Sequence, residues 1–84
     1  MWLVEVARSA VRALARAPAG DRRRLERALT AMQQDPFTGD LRRLLGEERR
    51  WRRRVGDWRV IFRVNATQRI VSVDSIVRRG STTY

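Results

Sequence analysis

The chain has 84 residues, 43% of them hydrophobic, and a formal net charge of +10. It contains neither cysteine nor histidine, which excludes disulfides, thiolate nucleophiles, histidine acid–base pairs and zinc sites built on either residue. The size allows one small domain over residues 1–84, and the charge predicts a polyanionic or acidic partner.

All 19 basic residues are arginine. Arginine grips phosphate bidentately but stays charged, so it serves poorly as a general base. The N-terminus shows no signal peptide, and no apolar run reaches the roughly 20 residues a membrane span needs. A cytoplasmic protein that does not contact membranes is the expectation.

Trp2 to Val6 is a short apolar run with β-branched Val4 and Val6, and reads as a strand. Ala7, Ala10, Val11, Leu14 and Ala15 then recur at helical spacing, with Arg8, Arg12 and Arg16 opposite. Pro18 and Gly20 break that helix. A second helix follows, with Asp21 near its N-terminus and an apolar stripe of Leu25, Ala28, Leu29 and Met32. Asp35-Pro36 ends it, because a residue before proline avoids helical geometry. Residues 37–48 read as a connection punctuated by Gly39 and Gly46 and fastened by Leu41, Leu44 and Leu45.

Three strand candidates follow, near 50–55, 58–65 and 69–77, with turns at Gly56-Asp57 and Asn65-Ala66-Thr67. Strand alternation sorts the first two. Arg52 and Arg54 share one face, while Trp51, Arg53 and Val55 share the other. In the next strand Arg59, Ile61 and Arg63 alternate with Trp58, Val60, Phe62 and Val64. The expected fold is α+β, in the order βααβββ. An antiparallel sheet carries the helical hairpin on one face and an arginine cluster on the other. Like charges across a hairpin are unfavourable, so a cluster kept at that cost points to polyanion binding.

The segments Asp35-Pro36-Phe37-Thr38-Gly39, Leu44-Leu45-Gly46, Trp51 through Val64 and Ile76-Val77-Arg78-Arg79-Gly80 together resemble the RelE/ParE superfamily of type II toxin–antitoxin toxins. The resemblance spans nearly the whole chain, and its RelE-like branch fits best. It implies the fold just described and two possible activities. RelE-like members cleave mRNA in the ribosomal A site, whereas ParE-like members inhibit DNA gyrase and cut nothing. A third reading is a catalytically weakened relative that only binds. Each is held inactive by a cognate antitoxin, RelB-like for the RelE branch. The resemblance thus implies a toxin that is monomeric alone and hetero-oligomeric with its antitoxin.

For a RelE-like nuclease the resemblance implies a catalytic set of Arg59, Arg79 and Tyr84, with Arg52, Arg54 and Arg78 binding RNA and no metal or cofactor. The 2′-hydroxyl would attack the adjacent phosphate. Guanidinium groups would stabilise the charge that develops on phosphorus, Arg59 first and Arg79 assisting. Tyr84, the chain's one tyrosine, would act as the base if neighbouring arginines favour its phenolate, or stack on a nucleobase. Asp57 and Asp74 are the alternative bases. Relatives often carry lysine or histidine in the site, and neither occurs here. Arg53 stands where an aliphatic residue is common, so its charge must reach the sheet edge or a carboxylate.

Overall fold

The hydrophobic stripes of two helices close on the apolar face of a five-stranded sheet. The computed structural model describes residues 1–44 and 49–79. Leu45, Gly46, Glu47 and Glu48, and the C-terminal segment from Gly80 to Tyr84, lie outside the described residues. The elements are β1 (Leu3–Val6), α1 (Arg8–Arg16), α2 (Ala19–Gln34), β2 (Asp40–Arg43), β3 (Arg50–Val55), β4 (Trp58–Asn65) and β5 (Ile70–Arg78). The sheet order is β1-β5-β4-β3-β2.

The α+β class and the helical hairpin on one face match the expectation, and three details differ. The connection after α2 contains a strand, β2, paired antiparallel with β3. With one leucine in four residues, β2 carries no periodic signal, as is usual for a short charged edge strand. The sheet is mixed, because β1 runs parallel to β5. The two-helix crossover between β1 and the rest of the sheet is long enough for a parallel return. Finally, Gly20 lies in the first turn of α2, which starts after Pro18.

The core forms where the predicted stripes meet. Leu25 and Met32 of α2 and Ala10 of α1 pack with Val60, Phe62, Val71 and Val73, all at most 1% exposed. Two glycines hold backbone that other residues adopt at a cost. Gly56 (φ +58°) is the first central residue of the two-residue β3–β4 turn, where a type II′ hairpin requires glycine. Gly39 (φ +85°) brings the chain from α2 into β2. Before it, the Asp35 carboxylate accepts the Phe37 N–H at 2.9 Å, closing the turn that stops α2.

A β-bulge interrupts β5. Ile61 pairs with Ser75 but Phe62 pairs with Val73, so Asp74 is the extra residue. Ser9 Oγ donates to the Asp74 carbonyl at 3.2 Å and ties the start of α1 to the bulge.

Asp21 fastens α2 to the far end of the sheet. Its carboxylate accepts Trp58 Nε1–H at 3.1 Å and Arg24 Nη2–H at 2.8 Å, with Arg78 Nη2 at 3.9 Å. The Trp58 hydrogen bond, then Arg24 and Arg78, hold its carboxyl below the usual carboxylate range against an opposing desolvation. A folded-state pKa below the unfolded one adds stability above the ordinary value, and that stability is lost as pH falls through the folded one. Asp21→Asn should therefore lower the melting temperature near about pH 6, with the gap to wild type closing well below about pH 4. A gap that stays constant from neutral to acidic pH would remove Asp21 ionisation from the account.

Candidate nucleic-acid interface

The register of the β3–β4 hairpin decides which side chains meet. Trp51 pairs with Phe62, Arg53 with Val60 and Val55 with Trp58, and these point toward the helices. Arg52 pairs with Ile61, Arg54 with Arg59 and Arg50 with Arg63, and these point to the open face. The division expected from alternation is thus present. β2 extends it, since Arg42 pairs with Arg52 and Asp40 with Arg54. Side chains directly across a strand pair lie about 5 Å apart at Cβ. Arg42, Arg52, Arg54 and Arg59 therefore form one contiguous guanidinium patch, with Asp40 at its margin.

Arg42 was not among the residues picked out from the sequence. Its signal is weak: Leu41 is partly buried beside an exposed Arg42, a two-residue alternation in a four-residue strand. Ile61 is the other surprise. It sits on the open face by register yet is only 2% exposed, and it lies outside the main core cluster.

Along the strands from this patch sits an ion cluster. Arg63 donates to both carboxylate oxygens of Asp74, Nε to Oδ2 at 2.9 Å and Nη2 to Oδ1 at 2.8 Å, and Arg50 Nε lies 3.7 Å from Oδ2. The hydrogen bonds and charge of Asp74 raise the Arg63 guanidinium above its ordinary pKa. Both oxygens of Asp74 are thus turned to Arg63, away from the Arg54 and Arg59 end of the face. Beyond Arg63 the face opens into a concavity of about 660 Å³ at the β4–β5 turn, bordered by Glu5, Arg49, Asn65 and Ser72.

The two C-terminal arginines separate. Arg78 pairs in register with Trp58 and lies over its indole, 5.4 Å from the ring centroid, beside Asp21. It is on the helix side, away from Arg52, Arg54 and Arg59. The Arg79 backbone N–H donates to the Asp57 carbonyl, which extends the β4–β5 ladder by one step. Alternation from Val77, the partner of Arg59, places Arg79 on the open face. Asp57 lies in the tight turn beside it. Tyr84 lies outside the described residues. Arg53 is partly buried on the helix side, and its Nη1–H donates to the Ala28 carbonyl at 3.3 Å. The strand aromatics pack inward, whereas Phe37 is 46% exposed. Trp58 and Phe62 are buried, and Phe37 makes edge contacts with Trp2 and Trp51 at 6.4 and 5.5 Å.

No helix among the described residues is long and apolar enough to cross a membrane. Among the same residues no three Asp, Glu, Cys or His side chains converge where a metal ion could sit. Chemically, the open face can bind a chain of phosphates and stabilise negative charge developing between Arg54, Arg59 and Arg79.

Comparisons with known proteins agree with this fold. The archaeal RelE of a RelE–RelB complex from Pyrococcus horikoshii OT3 superposes with a TM-score of 0.83 at 26% identity, covering 96% of this chain and 98% of that one. The isolated E. coli RelE toxin superposes at 0.80 with 14% identity, covering 98% and 88%. The RelBE2 toxin–antitoxin complex of Mycobacterium tuberculosis gives 0.78 at 17% identity, covering 93% and 98%. A search of curated protein sequences found no match. The family model of the ParE toxin of type II toxin–antitoxin systems, parDE, matches residues 4–82. The chain belongs to that toxin family, within the RelE/ParE superfamily.

Proposed function

We propose that this toxin is a RelE-like, ribosome-dependent mRNA endonuclease. The observation that carries the reading is the register pairing of Arg54 with Arg59 and of Arg42 with Arg52 on one open face. In this mechanism mRNA in the ribosomal A site lies along the face, with adjacent phosphates gripped by Arg42, Arg52 and Arg54. The 2′-hydroxyl of one nucleotide loses its proton and attacks the neighbouring phosphorus. Arg59, with Arg79 from the end of β5, stabilises the extra negative charge. The 5′-oxygen leaves and takes up a proton. Tyr84 is assigned as the base, since Asp74 is held by Arg63 and Asp57 sits in a turn. Arg78 steadies Asp21 and Trp58 rather than RNA. A RelB-like antitoxin is the partner that silences the activity, and the cytoplasm is where ribosome and toxin would meet.

Two measurements test this. Arg59→Ala should lower cleavage by about 10²–10³-fold and abolish growth inhibition, while the melting curve stays close to wild type. Full toxicity of that variant would exclude the nuclease. In binding, four neutralised phosphates of a single strand give a slope of log affinity against log salt of roughly −2.8, and removing both Arg42 and Arg52 should bring it to roughly −1.4. A flat salt response in the wild type would argue against any phosphate grip.

The match to the ParE toxin model keeps one second reading, a gyrase inhibitor that cuts nothing. Induction followed by mapping of mRNA 5′ ends separates the two. New 5′ ends with translation arrest support the nuclease, whereas DNA-damage signalling with intact mRNA assigns the gyrase reading.

A further inference from the structure

Arg53 is a cation in a place that does not satisfy it. It extends from β3 toward the helices, directly across from fully buried Val60. Burial lowers its pKa, and its one hydrogen bond is a 3.3 Å contact to the carbonyl of Ala28 in α2. No carboxylate among the described residues pairs with it. Its guanidinium lies against Gly39, where an added Cβ would stand 2.6 Å from Arg53 Nε.

The surroundings do not compensate for that charge. Arg53 borders a groove of about 410 Å³ between α2 and β3, and Arg24 and Arg27 border the same groove. Of these three, Arg24 alone has a carboxylate partner among the described residues, Asp21 at 2.8 Å. Arg54 lines it as well, beside Gly39, and the rest of the lining is aliphatic, from Ala28, Ala31 and Val55. A partly desolvated guanidinium gains most from an oppositely charged, bidentate partner.

We infer that this groove is a docking site for a carboxylate-bearing segment of a partner protein, which seats an Asp or Glu on Arg53 and an aliphatic side chain against Ala28, Ala31 and Val55. Both halves of the lining are used by such a segment. A phosphate chain would use the cations and leave the aliphatic floor covered by nothing complementary. Arg53 itself enters the groove from the helix side of the sheet, and Arg54 is the one residue the groove shares with the open face. The inference rests on the reading of the chain as a toxin with a protein partner, and is independent of mRNA cleavage.

A random-peptide display library selected against the full chain, with Arg53→Leu as the counter-target, tests this. Enriched peptides should carry Asp or Glu beside Leu, Ile or Val, and should bind wild type at least about tenfold more tightly than Arg53→Leu. Arg53→Leu places an aliphatic group beside Val60, so it should retain the wild-type circular dichroism spectrum. Arg53→Lys, which keeps the charge without the guanidinium fork, should fall between the two in affinity and guards against a folding defect in the leucine variant. Enriched peptides without acidic residues, equal binding to Arg53→Leu, or no discriminating peptide at all would each overturn the inference. Competition by a single-stranded oligouridylate that persists in Arg54→Ala would do the same, since it would put the Arg53 groove on the nucleic-acid path. The Arg59→Ala assay reads toxicity and this one reads peptide binding, so either reading can fail without the other.

Discussion

The register of the β3–β4 hairpin is the constraint on which the rest of this molecule depends. Side chains alternate with period two, so a slip by one residue would carry every buried group to the open face. Val60 and Phe62 are fully buried, and burying one large apolar side chain is worth about 1.5–3 kcal/mol. The cross-strand repulsion between Arg54 and Arg59 is a smaller effect, about 0.2–1 kcal/mol for a directly opposed pair. The shifted register would also sink Arg59 and Arg63 into the core, at several kcal/mol for each buried ion. Packing therefore wins over repulsion, and it decides where the arginines stand. The charged patch is held together by the other side of the same strands.

The bulge at Asp74 performs a similar service for β5. Upstream of it the odd-numbered residues Val71 and Val73 face the core. Without the extra residue, Arg79 would continue that series inward and Arg78 would face outward with the arginine patch. With it, the phase reverses: Ile76 enters the core opposite Val60, Arg78 lies opposite Trp58, and Val77 lies opposite Arg59. One inserted residue thus exchanges the roles of two adjacent arginines. The Arg78 that leaves the open face is absorbed by the Trp58 ring and Asp21, while the freed Asp74 side chain engages Arg63.

This explains what was legible in the sequence and what was not. The α2 stripe of Leu25, Ala28 and Met32, the Gly56-Asp57 turn and the two faces of β3 and β4 follow from periodicity and turn chemistry, and the structure has them. β2 was missed because four residues with one leucine produce no period, and Arg42 was missed with it. The separation of Arg78 from Arg79 was missed: Asp74-Ser75 interrupts the alternation of Val71 and Val73 and Ile76 resumes it in the opposite phase, but strand pairing is needed to place the extra residue. Arg53 was flagged as misplaced from its strand parity and from the aliphatic residue common at that position in the family it resembles. Its actual surroundings needed tertiary structure, since Ala28 lies 25 positions away in sequence.

The carboxylates shape the charged surface by where they remove charge. Asp21 takes up Arg24 and Arg78 on the helix side, and Asp74 takes up Arg63 and Arg50 at one end of the open face. Arg63 is four residues from Arg59 along β4, about 13 Å at the rise of an extended strand. That separation exceeds the screening length of roughly 8–10 Å at physiological salt. The Asp74 cluster therefore does not reach the Arg54 and Arg59 end of the sheet, where Asp40 stands opposite Arg54 in register. The charges are thus grouped along the sheet, with Arg42, Arg52 and Arg54 gathered near Asp40 at one end and Arg50 and Arg63 around Asp74 at the other. In the proposed nuclease, such a grouping would fix which part of a bound phosphate chain lies nearest Arg59, before any contact specific to a base is made.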